Sequence, residues 1–270
     1  MTKKIIGIIG CGAIGSALAE YASKNMTGSL ERIIFFDIDP DKATSLMKKV
    51  AISETASSKK EVIDRAHLVI ETATKKIVPE LLKTIIEKKK DLIVLSIGGL
   101  LGCEDLIEEA RKKNIRIILP SGAISGIDAL KASKIAGLES VTLTTRKAPK
   151  SIKGAPYLEE NGIDVDALTE ETVVFEGNAR EAMEGFPKNV NVSALLSIAG
   201  LGAEKTKVKI VISPDYTKNI HEIEIISKAG SVTTKVQNIP SPSNPKTSYL
   251  AALAAITALE NYFDSIRIGT

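Results

Sequence analysis

Ile5-Ile6-Gly7-Ile8-Ile9-Gly10-Cys11-Gly12-Ala13-Ile14-Gly15 decides how the rest of this chain is read. Its first half is a short apolar run of the kind that fills a buried parallel strand. Its second half is G-x-G-x-x-G, and Ser16 to Ser23 continues it with a helix-compatible pattern. Strand, tight glycine turn and helix together give the motif its meaning. Gly10 permits the turn, Gly12 lets backbone approach a pyrophosphate, and Gly15 lets helix and strand pack closely. The free N–H groups and positive dipole end of the helix then favour phosphate.

Working outward, Arg32 to Asp37 reads as a second strand ending in an acid. Asp37 lies about 20 residues past the last loop glycine, where a ribose-binding carboxylate is expected. It would repel a 2′-phosphate and no arginine adjoins it, so NAD is favoured, with NADP as the alternative. Helices are expected over Asp41–Val50, Glu61–Arg65, Val78–Lys90 and Glu104–Lys113. Strands are expected over His67–Glu71, Leu92–Ile97 and Ile115–Leu119. This alternation predicts an α/β fold, a Rossmann-type doubly wound parallel sheet. Ala73, in the small-residue loop after the third strand, falls at the strand end where such sheets place ligands.

Bulk properties narrow the classes. Net charge is +3, from 36 basic and 33 acidic residues mixed along the chain. That balance gives no basic surface for nucleic acid. Leu250 to Leu259, the longest apolar stretch, is too short to span a bilayer. Cys11 and Cys103 make no disulfide framework or zinc spacing, and no His/Cys/Asp cluster suggests a metal. With a strand starting almost at Met1 and no signal peptide before it, the expectation is a cytoplasmic protein.

Beyond Gly122 the rhythm changes. A helix over Ile127–Ala136, strands over Ser140–Arg146, Thr172–Glu176, Val208–Ile212, Ile220–Ser227 and Ser231–Asn238, and helices over Ala179–Phe186 and Val192–Gly200 predict a second, α+β domain with a largely antiparallel sheet. Asn178 is an N-cap candidate. A proline-punctuated link, Pro240 to Pro245, leads to a last helix over Lys246–Asn261. Its stripe of Leu250, Leu253 and Ile256-Thr257 needs cover, which suggests a return to the first domain. The expected division is 1–121 with 245–270 for the dinucleotide-binding domain and 122–244 for a substrate and dimerisation domain.

Of two histidines, His67 sits away from the ligand edge and reads as structural. His221 falls on the face of Ile223 and Ile225, opposite Glu222 and Glu224. Position alone leaves it open between a partly buried sheet histidine and an acid–base group. An imidazole titrating near neutrality does suit proton transfer coupled to hydride transfer.

The chain resembles the L-aspartate dehydrogenase family along nearly its whole length. The resemblance is carried by Gly10 to Gly15, Pro120 to Ala129 (including Ser121, Gly122 and Ala123), Phe175 to Ala182, Phe186 to Val192 (including Lys188, Asn189 and Asn191), Asn219 to Glu224 (including His221), and Pro242 to Ser248 (including Lys246). It implies a homodimer that oxidises L-aspartate to iminoaspartate with NAD or NADP, feeding NAD biosynthesis. It implies that His221 is the active-site residue and that Ala123 and one of Asn189 or Asn191 touch the cofactor, Asn191 being favoured by spacing. Two substrate carboxylates need cationic or N–H partners. Ser121, Lys188 and Lys246 are the candidates. Thr72 to Lys76 departs from the pattern by lacking a glycine–histidine pair, and the excursion from Lys147 to Leu168 has no assigned role. Two other readings are a reductase of another small carboxylate, such as dihydrodipicolinate reductase, whose paired-histidine-plus-lysine signature is missing, and a non-catalytic dinucleotide sensor.

Overall fold

The computed structural model describes residues 3–187, 190–242 and 244–269, and divides into two compact units. One comprises Met1–Gly122 with Ala251–Arg267, the other Ala123–Leu250 with Ile268–Thr270.

The first unit runs β1 (Lys4–Ile9), α1 (Ala13–Asn25), β2 (Leu30–Phe36), α2 (Pro40–Met47), β3 (Ser53–Thr55), α3 (Lys59–Arg65), β4 (Leu68–Glu71), α4 (Val78–Glu87), β5 (Asp91–Val94), α5 (Glu104–Lys112) and β6 (Ile117–Ile118). Its six strands are parallel, in the order β3-β2-β1-β4-β5-β6. The order reverses between β1 and β4, the place where doubly wound sheets bind ligands. Ile6, Ile8, Ile33, Leu68, Ile70 and Ile93 are wholly buried, as strands covered on both faces require. Two expected strands are shorter. Leu92–Ile97 stops at Val94 and gives way to a 3₁₀ turn at Ile97–Leu100, while Ile115–Leu119 keeps only Ile117–Ile118. The edge strand β3 pairs in parallel with β2 but carries no apolar run that would mark it in sequence.

The second unit holds α6 (Ile127–Ala136), β7 (Leu138–Lys147), α7 (Pro156–Glu160), β8 (Thr172–Asn178), α8 (Ala179–Gly185), α9 (Val190–Ala199), β9 (Thr206–Ile212), β10 (Asn219–Ser227), β11 (Gly230–Asn238), β12 (Pro240–Ser241) and β13 (Asn244–Ser248). Its main sheet has the order β11-β10-β7-β9-β8, antiparallel except where β7 meets β9. Asn178 caps α8 in a capping box with Glu181, each side chain accepting from the other residue's N–H. The excursion after β7 is an anchored cover. Ile152, Leu158 and Val165 are buried, and the Tyr157 ring packs edge-on against Phe175 at 5.0 Å.

The last helix, α10 (Tyr249–Phe263), begins three residues later than expected, because Asn244–Ser248 pairs with β12 instead. Its buried stripe also differs. Ala252, Ala255, Ile256, Leu259 and Tyr262 are covered, whereas Leu250 and Leu253 remain 37% and 40% exposed. Ala255, Ile256, Leu259 and Tyr262 belong to the core of the first unit, beside Leu18, Ala22 and Ile93. Small alanines permit the close approach that a leucine stripe would have blocked. No helix among the described residues is long and apolar enough to cross a membrane.

Candidate active site

At the end of β1 the chain turns at Gly10, whose φ of +104° suits glycine. A Cβ there would lie 2.7 Å from the Thr72 carbonyl, so the loop is pressed against the segment following β4. A Cβ on Gly15 would meet the Gly10 carbonyl oxygen at 2.2 Å and Thr72 Oγ1 at 2.8 Å. Gly12 is different: nothing lies within 4 Å of a Cβ placed on it. It is the N-cap of α1, which has no side-chain cap and no acid in its first turn. The helix therefore keeps free amide donors above an open, uncrowded backbone, and a dinucleotide pyrophosphate fits this cradle.

Asp37 is tied into the same loop. Its Oδ2 accepts from the Cys11 N–H at 2.7 Å and its Oδ1 from the Asp39 N–H at 2.9 Å. Each oxygen retains acceptor capacity for a ribose hydroxyl. Burial, with the Asp37 charge beside it, pushes the Cys11 thiol up to about 12. Cys11 therefore stays protonated and is no nucleophile. Ala73 is exposed, with its N–H donating to Glu71 Oε1 at 2.7 Å. Ser121 is half-buried after β6, next to Gly122 at φ +64°.

Glu71 is a residue that sequence reasoning missed. It is wholly buried at the end of β4, and it also accepts from the Ser96 N–H and hydroxyl, both at 2.9 Å. Burial raises its pKa against the opposing pull of these hydrogen bonds. The carboxylate locks the loop at 72–74 to the end of β5. The signal available in sequence was an acid closing an otherwise apolar strand.

In the second unit β10 buries His221, Ile223, Ile225 and Ser227 in alternation. His221 stands opposite Thr145 of β7, and Thr145 Oγ1 lies 3.0 Å from His221 Nδ1. β7 alternates likewise, burying Val141, Leu143, Thr145 and Lys147. Lys147 is only 6% exposed. With Thr145 and Ser193 it forms the polar wall of a pocket whose apolar wall includes Ala182, Phe186 and Ile210. Burial brings the Lys147 ammonium down to about 8. Burial first, and the Lys147 charge second, push His221 down to about 3. Sequence reasoning missed both Thr145 and Lys147. The available signal was a lysine in the inward phase of an alternating strand.

The remaining candidates are more scattered. The Ala123 carbonyl accepts from Asn238 Nδ2 at 3.0 Å, and Asn191 is exposed in the first turn of α9. Lys188, Asn189 and the side chain of Lys246 lie outside the described residues. His67 uses Nδ1 to accept the Ile5 N–H at 3.1 Å, a link between strand ends.

Residues 128–262 match the family described as aspartate dehydrogenase, C-terminal, and residues 5–99 match NADP oxidoreductase, coenzyme F420-dependent. The chain is 42% identical to the L-aspartate dehydrogenase of Methanococcoides burtonii, over 98% of its own length and 99% of that protein's. The chain belongs to the L-aspartate dehydrogenase family. Its likeness to the L-aspartate dehydrogenase of Nitrosopumilus maritimus is 40% over 99% of this chain and all of the other. The crystal structure of aspartate dehydrogenase from Thermotoga maritima superposes with a TM-score of 0.77 at 28% identity, covering 99% of this chain and 100% of that one. In this family member, then, the glycine loop, Asp37 and Ala73 gather in one unit, while His221, Thr145 and Lys147 gather in the other.

Proposed function

We propose that this chain is an NAD(P)-dependent L-aspartate dehydrogenase that oxidises L-aspartate to iminoaspartate, which water converts to oxaloacetate and ammonia, feeding NAD biosynthesis. The observation that carries this reading is the buried His221–Thr145 pair in a chain whose other unit holds an open glycine cradle and a ribose-type carboxylate. When bound, the oxidised dinucleotide supplies the acceptor for the hydride that leaves the substrate Cα.

The chain's own part is positioning and the proton. Loss of the Cα hydrogen with its electron pair forms the C=N bond only if the nitrogen sheds a proton. His221 takes that proton on Nε2 and later assists water adding to the imine. This role requires the tautomer in which Nδ1–H donates to Thr145 Oγ1, leaving Nε2 bare. Burial keeps the ring neutral, and so in its base form, at neutral pH, but takes it below the near-neutral range expected from the sequence and makes it a weaker base than a free imidazole. Gly10, Cys11, Gly12, Ala13, Ile14 and Gly15 hold the pyrophosphate, with Asp37 on the ribose selecting NAD over NADP. Ala73, Ala123 and Asn191 or Asn189 complete the cofactor set, and Ser121, Lys188 and Lys246 serve the substrate. A homodimer working in the cytoplasm belongs to the same proposal.

The test is a screen of the twenty amino acids for NAD reduction followed by absorbance. L-Aspartate should be the substrate turned over, and an active protein that prefers another amino acid overturns the reading. His221→Ala should lower kcat by about 10²–10⁴-fold while NAD affinity survives. A folded variant at the wild-type rate would leave the mechanism without a base.

A further inference from the structure

We propose that Lys147 binds a carboxylate of the dicarboxylic substrate, holding it beside His221. The proposal rests on the function read above and names a residue of that same site.

Among the described residues Lys147 is the one lysine or arginine that is buried. It occupies the inward phase of β7, the phase of Val141 and Leu143, where an apolar side chain would pack without desolvating a charge. A lysine kept in such a place is a functional candidate when its surroundings suit a ligand. Here they suit an anion. The pocket wall formed with Thr145 and Ser193 brings one ammonium and two hydroxyls, the donor types that suit a carboxylate, to one place.

The sheet register fixes the relation to the base. His221 pairs directly with Thr145, and Lys147 lies two residues along β7 on the same face. Diagonal neighbours of this kind are ~7–8 Å apart at Cα, close enough for one four-carbon diacid to touch both side chains. The charges are coupled as well. The Lys147 ammonium depresses the basicity of His221, and an anion docked on Lys147 offsets that charge. Substrate arrival thereby strengthens the base that must take its proton.

The experiment uses the full chain with NAD and compares wild type with Lys147→Met and Lys147→Gln. KM for L-aspartate should rise about 10–100-fold, the effect of losing a charge-assisted hydrogen bond, with kcat falling much less. Succinate, a diacid with no amine to oxidise, serves as the second probe. Its binding, read by calorimetry, should weaken by a similar factor. NAD affinity and melting temperature should hold, whereas a merely structural lysine would move them. If wild type oxidises L-aspartate and a folded variant keeps KM and succinate affinity within about twofold, the assignment of Lys147 falls alone. If wild type binds succinate through Lys147 but does not oxidise L-aspartate, the function reading falls and the anion site stands.

Discussion

Gly12 and Gly15 look alike in the motif but answer to different forces, and substitution should separate them. An alanine at Gly15 would drive its Cβ into a backbone carbonyl 2.2 Å away, which no rotamer change can relieve. Gly15→Ala should lower stability by about 1–3 kcal/mol, the usual range for overpacking, in a thermal or urea melt. Gly12 has φ −78° and open space around it, so Gly12→Ala should melt like wild type yet lose NAD affinity. Unchanged NAD binding in Gly12→Ala would show that no phosphate approaches there. Asp37→Ala should weaken NAD and narrow the gap to NADP in paired titrations, and a wild type that prefers NADP would contradict the ribose assignment. The glycine motif and the acid after the second strand could be read in the sequence because each is tied to a local pattern, whereas His221 was open from its position alone and its role came from the family resemblance. Glu71 and Lys147 were less visible, because burial makes them distinctive and burial is a property of neighbours far along the chain.

At the scale of elements, β7 and β10 pair so that Thr145, Lys147 and His221 share one buried face. This has a consequence for pH. His221 titrates near 6.5 when unfolded and at about 3 in the folded chain. Between those values the unfolded state binds the extra proton, so stability is fully present above about 6.5 and is lost as pH falls towards 3. The melting temperature of wild type should therefore fall more between neutral pH and pH ~4 than that of His221→Ala. Parallel declines in the two proteins would mean that His221 is solvated. Helix α8 illustrates the opposite degree of legibility. Its Asn178–Glu181 capping box is contained within four residues and was partly foreseen from Asn178 alone.

For the whole molecule the decisive element is α10, which closes the core of the first unit from the far end of the sequence. Tyr262 completes it. Its hydroxyl donates to Asp91 Oδ2 at 2.9 Å and accepts from Lys4 Nζ at 3.3 Å, while the Arg116 guanidinium lies 4.4 Å from the ring centroid. A chain ending at Ser248 should lose the burial of Ala255, Ile256, Leu259 and Tyr262. A single buried leucine removed from a core already costs about 2–5 kcal/mol, so the truncated protein should melt far lower and bind NAD poorly. Retention of the full melting temperature and NAD affinity would show that the first unit is complete without α10.

By itself the sequence determined the strand–glycine turn–helix start, the alternation that builds the parallel sheet, the acid closing β2 and the inward phase of His221. These follow from steric and hydrophobic patterns that repeat over two to four residues and need no distant partner. Tertiary structure alone decided which face of α10 is covered, why Glu71 is wholly enclosed, and that Lys147 lies beside His221. Those outcomes depend on packing between segments tens to hundreds of residues apart, where desolvation and neighbouring charge, rather than residue type, set what a side chain can do.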